Sequence, residues 1–307
     1  MAAPDLRFRT YSHHGETPSR VHWALLITLS FAGVEAIGGW WSGSLALLSD
    51  AGHMFSDCVA LGLTAFAGWV TKHPPTRRHT YGLLRAEVIA ALLNGLMMLL
   101  IILFIVVEAV ARLREPQPVS GAAVMVIAGA GLAANILVIF LLSHGEQTLN
   151  ARAALLHVMG DLLGSVAALL AGAVIYFTGW LPIDPILSLV VAGLILFSTL
   201  NLLREALHVL MEGVPLNLQI EAVGREMTHI EGIRSVHDLH IWTLASGKVA
   251  LSAHLEVPVL AAWPKVLEAA QVMLHRQFGI DHVTLQPEEP QTPEKRYPGS
   301  IRIYPKK

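Results

Sequence analysis

The chain has 307 residues, of which 54% are hydrophobic and only 14% charged, against roughly 25% charged in soluble domains. With a mean hydropathy of +0.56, that composition excludes an ordinary soluble globule. The net charge of −2 offers no case for nucleic acid as a partner, and a single cysteine, Cys58, excludes an intrachain disulfide.

The charges are unevenly spread. Of the 44 Asp, Glu, Lys and Arg residues, 21 lie after Leu210. This predicts a membrane domain over 21–210 and a soluble domain over 211–290, with a polar N-terminal segment at 1–20 and a flexible Pro-rich, charged tail at 291–307. The apolar run after residue 20 is too long for a signal-peptide core.

A span needs about 20 apolar residues, and six segments qualify. The first, 21–41, contains Glu35. A short turn leads to 45–71, which holds Asp50, His53 and Asp57. The basic loop 72–85 precedes the third span, 88–107, with Glu108 expected to snorkel at its end. Residues 112–118 break the chain before the uncharged fourth span, 119–142. The fifth, 153–178, carries His157 and Asp161, and 186–203 is the sixth. With both termini cytoplasmic, the inner loops carry Arg7, Arg9, Arg20, Lys72, Arg77, Arg78, Arg85, Arg152 and Arg204, and the outer ones only Arg112 and Arg114. That asymmetry sets the orientation, and a cell (inner) membrane is the expected location.

Beyond residue 216 the pattern shortens. An amphipathic helix is predicted at 218–230, with Leu218, Ala222, Met227 and Ile230 as its apolar side. A strand follows at 234–244, with Val236, Asp238, His240 and Trp242 on one face and His237, Leu239, Ile241 and Thr243 on the other. A turn at 245–248 leads to a second strand, 249–257. A helix at 263–278 and a third strand at 282–286 complete an αββαβ order, a small ferredoxin-like α+β layer.

The chemistry sits in two H-x-x-x-D pairs, His53 with Asp57 and His157 with Asp161. Residues four apart share a helix face, so each pair presents an imidazole and a carboxylate together. If the two helices face each other, two nitrogens and two oxygens suit tetrahedral zinc. No Lys or Arg lies inside any predicted span, so these carboxylates lack a basic partner there, and an isolated carboxylate in hydrocarbon is costly. One divalent ion cancels two of them, and protons can take its place when it leaves. Metal/proton exchange is therefore expected. Asp50, seven residues before Asp57, shares its face and is a candidate for the exit path.

Four stretches carry a resemblance. GSLALLSDAGHMFSD at 43–57, HTYGLLRAE at 79–87, NARAALLHVMGD at 150–161 and HDLHIW at 237–242 resemble the cation diffusion facilitator zinc transporters over nearly the whole chain. The resemblance implies a homodimer in the lipid bilayer, exporting Zn2+ and, as a second substrate, Cd2+ from the cytoplasm against protons. His53, Asp57, His157 and Asp161 fall on the family's transport site. His237 and His254 match ligand positions of its cytoplasmic domain, where zinc would also act as a regulatory ligand. Gln286 and Glu288 stand where some members have His and Asp, which leaves Glu288, His240 and His282 as further candidates. Arg85 and Glu212 match a charge interlock of bacterial members. His73 and His79, beside Arg77 and Arg78, make a poor cation site, and His13, His14 and His144 are the other loop histidines.

Two other readings compete. An intramembrane zinc hydrolase needs an open coordination position and a general base, but no H-E-x-x-H occurs and a two-His, two-Asp site is full. A membrane metal sensor needs an output, and no kinase or DNA-binding motif is present.

Overall fold

A computed structural model describes residues 18–143, 149–245, 247–290 and 303, and the side chains within 26–140, 158–245, 247–290 and 303. His13, His14 and His144, and the side chain of His157, lie outside the described set. Six long helices come first: α1 (Pro18–Ser42), α2 (Leu45–Val70), α3 (Ala86–Arg114), α4 (Gly121–Ser143), α5 (Leu149–Thr178) and α6 (Ile183–Leu210). Then follow α7 (Ile220–Thr228), β1 (Ser235–Ala245), β2 (Lys248–Glu256), α8 (Trp263–Phe278) and β3 (His282–Glu288).

Among the described residues, four helical stretches are long and apolar enough to cross a membrane: Ala86–Arg114, Gly121–Phe140, Val158–Thr178 and Ile183–Leu210. They are apolar on all sides, yet only 22 to 44% of their most apolar windows are buried within the chain. Val126 and Phe197, both 72% exposed, show what that leaves uncovered. Apolar surface on this scale needs lipid around it. Helix α2 is 26 residues long, but Asp50, His53 and Asp57 lower its hydropathy. Of α1, the first turns lie outside the described side chains.

The chain divides into two compact units, Met1–Cys58 with Leu100–Leu196, and Val59–Leu99 with Phe197–Lys307. In the first, α4 packs against both α1 and α5. Glycine permits the close approach: a Cβ on Gly121 would lie 2.6 Å from the Tyr176 nitrogen, and one on Gly172 2.8 Å from the Met125 nitrogen. The α1–α2 turn is held at Gly43, whose φ of 74° and closeness to the Pro118 carbonyl both exclude a side chain. Arg112 donates to the Gly43 carbonyl and pairs with Glu108 at 2.8 Å. One expectation is corrected here. Helix α3 continues through Arg114 instead of breaking at residue 112, and the Glu108 side chain, near its end, pairs with Arg112.

In the second unit, a three-stranded sheet runs in the order β1-β2-β3. β1 and β2 are antiparallel, while β3 runs parallel to β2, which requires the crossover that α8 supplies. Helix α8 opens with a proline in its first turn and stops at Gly279, in the left-handed region at φ 66°. The core joins Val223 and Met227 of α7, Val236, Leu239 and Ile241 of β1, Leu251, Ala253 and Leu255 of β2, and Val266 and Leu274 of α8.

The strict alternation expected along β1 does not hold. The register slips between His237 and His240, and Asp238 adopts φ 51°. This bulge inserts an extra residue, so Val236 joins Leu239 and Ile241 in the core instead of facing away from them. On α7 the buried residues are Val223, Gly224, Met227 and Thr228, one position on from the predicted Ala222. Ile303 exchanges two backbone hydrogen bonds with Val236, at 3.0 and 2.8 Å, and packs on the same core.

Candidate metal centres

Helix α2 is fixed before it reaches the site. Asp184, fully buried at the start of α6, receives hydrogen bonds from the Ser44 hydroxyl at 2.5 Å and from the Leu45 and Ala46 amides at 2.6 and 3.4 Å. It thus satisfies amides that a helix N-terminus otherwise leaves orphaned, and its charge complements the helix dipole. The sequence reading missed Asp184. Its partners lie about 140 residues away, so no local pattern announces it.

Two turns along α2, His53 and Asp57 face Asp161 of α5. His53 Nδ1 is 3.5 Å from Asp57 Oδ2, and His53 Nε2 is 3.9 Å from Asp161 Oδ1. One ligand atom from each of the three lies within 4.8 Å of the others. Ligands bonded to zinc at about 2.1 Å in a tetrahedron stand about 3.4 Å apart, so small side-chain movements bring these three onto one ion. Asp161 is 1% exposed, against 20% and 18% for the His53 and Asp57 side chains. His157 is on α5 one turn before Asp161, and its side chain is outside the described set.

Asp50 is 2% exposed. Its Oδ2 accepts from the Ser165 hydroxyl at 3.3 Å, and Ser165 in turn accepts from Asn135 Nδ2 at 3.1 Å. The carboxylate lies over Gly164, where any side chain would collide with it. Asp50 is therefore tied into a buried polar track, which its spacing on α2 alone did not reveal.

The second centre is on the sheet. His237 and His254 are opposite each other on β1 and β2, and Gln286 is the next residue across on β3. Glu288 Oε2 lies 3.1 Å from His237 Nε2, and its Oε1 2.8 Å from His254 Nδ1. These three form the other cluster with metal-ligand spacing among the described residues. His237 is 2% exposed and Glu288 13%. Gln286 donates to Glu288 Oε1 at 3.1 Å, which makes it a support for the carboxylate. The bulge points Asp238 at His240, 3.1 Å away, and His254, 3.7 Å away, a carboxylate that the strand pattern failed to place. His240 is thus beside the cluster, outside the triad. His282 is not gathered in, and stacks edge-on against Tyr81 at 5.4 Å.

The remaining candidates are separate. His73 interacts with the Val70 carbonyl at 3.2 Å and stacks edge-on against Trp69, while His79 is held by backbone bonds of its loop. Neither enters a ligand cluster among the described residues. Arg85 and Glu212 pair at 3.0 Å and are 35% and 64% exposed.

Residues 21–211 match the family model of the cation efflux transmembrane domain, and 215–290 that of the cation efflux protein cytoplasmic domain. The chain is 44% identical over 272 residues to the zinc transporter ZitB of Escherichia coli, covering 88% of this chain and 87% of that one. It is 41% identical over 261 residues to a cadmium, cobalt and zinc/H(+)-K(+) antiporter of Bacillus subtilis, covering 83% and 84%. It is 37% identical over 280 residues to the metal cation efflux system protein CzcD of Cupriavidus metallidurans, covering 90% and 88%. A solved structure, the metal-bound C-terminal domain of the CzcD transporter, is 36% identical and covers 23% of this chain and 99% of its own, with a TM-score of 0.22.

Proposed function

The chain belongs to the cation efflux family, and we propose that it exports zinc, with cadmium as a second substrate, in exchange for protons. The observation that carries this is the convergence of His53, Asp57 and Asp161 at ligand spacing within an apolar helical unit. His157, one turn from Asp161, is the fourth ligand. Two aspartates and two neutral histidines balance one divalent charge, so the site is stable either loaded with metal or protonated. That equivalence is the physical basis for exchange. The relatives, zinc transporters and a cadmium, cobalt and zinc/H(+)-K(+) antiporter by name, support the same substrates.

The membrane domain on this reading has six spans, α1 to α6, with both termini on the cytoplasmic side of a bacterial inner membrane. Two copies assemble through the cytoplasmic domain. There zinc at His237, His254 and Glu288 is a regulatory ligand that favours one arrangement of the two domains. The hydrolase reading is not favoured, because the relatives are named as transporters. The sensor reading survives only as regulation of the transporter itself.

The test is reconstitution in liposomes that hold a zinc-sensitive dye, with an imposed pH gradient. Zinc flux should follow the proton gradient and vanish in Asp57→Ala and Asp161→Ala. Gradient-driven flux that survives both substitutions would place the transport site elsewhere.

A further inference from the structure

Glu35 lies in the second half of α1, seven residues or about 10 Å before its end at Ser42, and is fully buried. Neither carboxyl oxygen has a hydrogen-bond partner among the described residues. Space for it comes from Gly131 of α4: a Cβ there would stand 2.8 Å from Glu35 Oε1 and would also collide with Phe31. An ionised carboxylate in such surroundings is costly unless a proton or a cation cancels its charge. A metal ion or potassium requires a shell of oxygen or nitrogen ligands. Phe31 and Gly131, which stand against the carboxyl, bring no side-chain ligand. A proton requires no shell.

The surroundings also connect Glu35 to the transport site. Helix α4, packed against α1, has no titratable residue. Among the described residues, the charged groups acting on Glu35 are Asp50 from α2 and Asp161 from α5. One turn along α4 from Gly131, Asn135 donates to Ser165, which donates to Asp50. A buried polar track thus runs from α4 towards the helices that hold the metal ligands, while Glu35 is not part of the ligand cluster that His53, Asp57 and Asp161 form among the described residues.

We infer that Glu35 is a proton-carrying residue of the exchange cycle, separate from the metal ligands and coupled to them by charge. This rests on the antiport reading above. In each cycle the Glu35 carboxylate gains one proton from the proton-rich side, forming an O–H bond, and gives it up to water on the cytoplasmic side. A doubly charged ion held by Asp57 and Asp161 and a proton on Glu35 repel one another through a medium that screens poorly. Each therefore favours departure of the other, and the coupling is reciprocal.

The experiment measures zinc and protons together in proteoliposomes carrying a zinc dye inside and a pH dye outside, for the full chain and for Glu35→Gln. The wild type sets the premise: zinc movement without proton countermovement would refute the antiport reading itself. Given exchange in the wild type, Glu35→Gln should bind zinc within about threefold of wild type, since no ligand is lost, but move about one proton fewer per zinc. Glu35→Asp should restore the ratio. An unchanged ratio in Glu35→Gln would overturn the inference. Should that variant fail to fold, the wild-type protein decides the matter through dicyclohexylcarbodiimide, which modifies protonated carboxyls in apolar surroundings. Mass spectrometry should find Glu35 labelled at acid pH and spared at alkaline pH. Labelling that ignores pH, or no labelling throughout, would overturn it, because a carboxyl that never exchanges with water carries no proton.

Discussion

Asp161 should be the ligand whose loss costs most. Asp161→Asn keeps the shape of the side chain and removes its charge. The residue is 1% exposed, so water does not readily fill the place of a lost oxygen. Removing one partner of a buried charge pair costs about 3–5 kcal/mol, which is roughly two to four decades in the zinc dissociation constant. Asp57 is 18% exposed, and water there can complete the coordination. Asp57→Asn should lose only a charged contact, about 1.5–3 kcal/mol, or roughly one to two decades. Zinc titration against a competing chelator dye measures both, on purified full-length protein carrying His237→Ala so that the cytoplasmic centre is silent. If Asp57→Asn proved the more damaging, or both variants bound within tenfold of the parent, burial would not be what ranks the ligands.

Three further expectations follow from the geometry. Asp184→Ala leaves the Leu45 amide and the Ser44 hydroxyl buried without their acceptor, and should lower stability by about 1–3 kcal/mol, read as a fall in the thermal midpoint in detergent. A residue with only a surface role would show no fall. Zinc at a hundred times its dissociation constant should stabilise the cytoplasmic domain within the full chain by about 2.7 kcal/mol. The effect should be absent in Glu288→Gln and weaker at acid pH, because bound imidazole must be neutral; equal protection at pH near 5.5 and 7.5 would argue against histidine ligands. The exposed pair of Arg85 with Glu212 should contribute under about 1 kcal/mol, so a double-mutant cycle giving a coupling well above that would show that the pair is covered in the assembled protein.

The number of long helices, their rough limits and the αββαβ order were legible because each depends on local pattern. An apolar run of membrane length, Pro in the first turn of α8 and Gly at its end act within a few residues. The pair of His53 with Asp57 was legible for the same reason, since helical spacing alone puts both side chains on one face. Three features escaped. The bulge at Asp238 depends on how β2 pairs with β1, and it changes which residues of one strand are buried. Asp184 acts on an amide about 140 residues earlier. Glu35 was visible as an acid in an apolar run, but its meaning depends on Gly131 of α4, on the lack of a donor among the described residues, and on the charges of Asp50 and Asp161. Sequence by itself thus determined which residues are chemically able to hold a cation, because ligand type and helical period are local properties. Only the tertiary structure decided which of them meet, how dry each is, and which acid stands apart, because convergence and burial depend on the packing of segments distant along the chain.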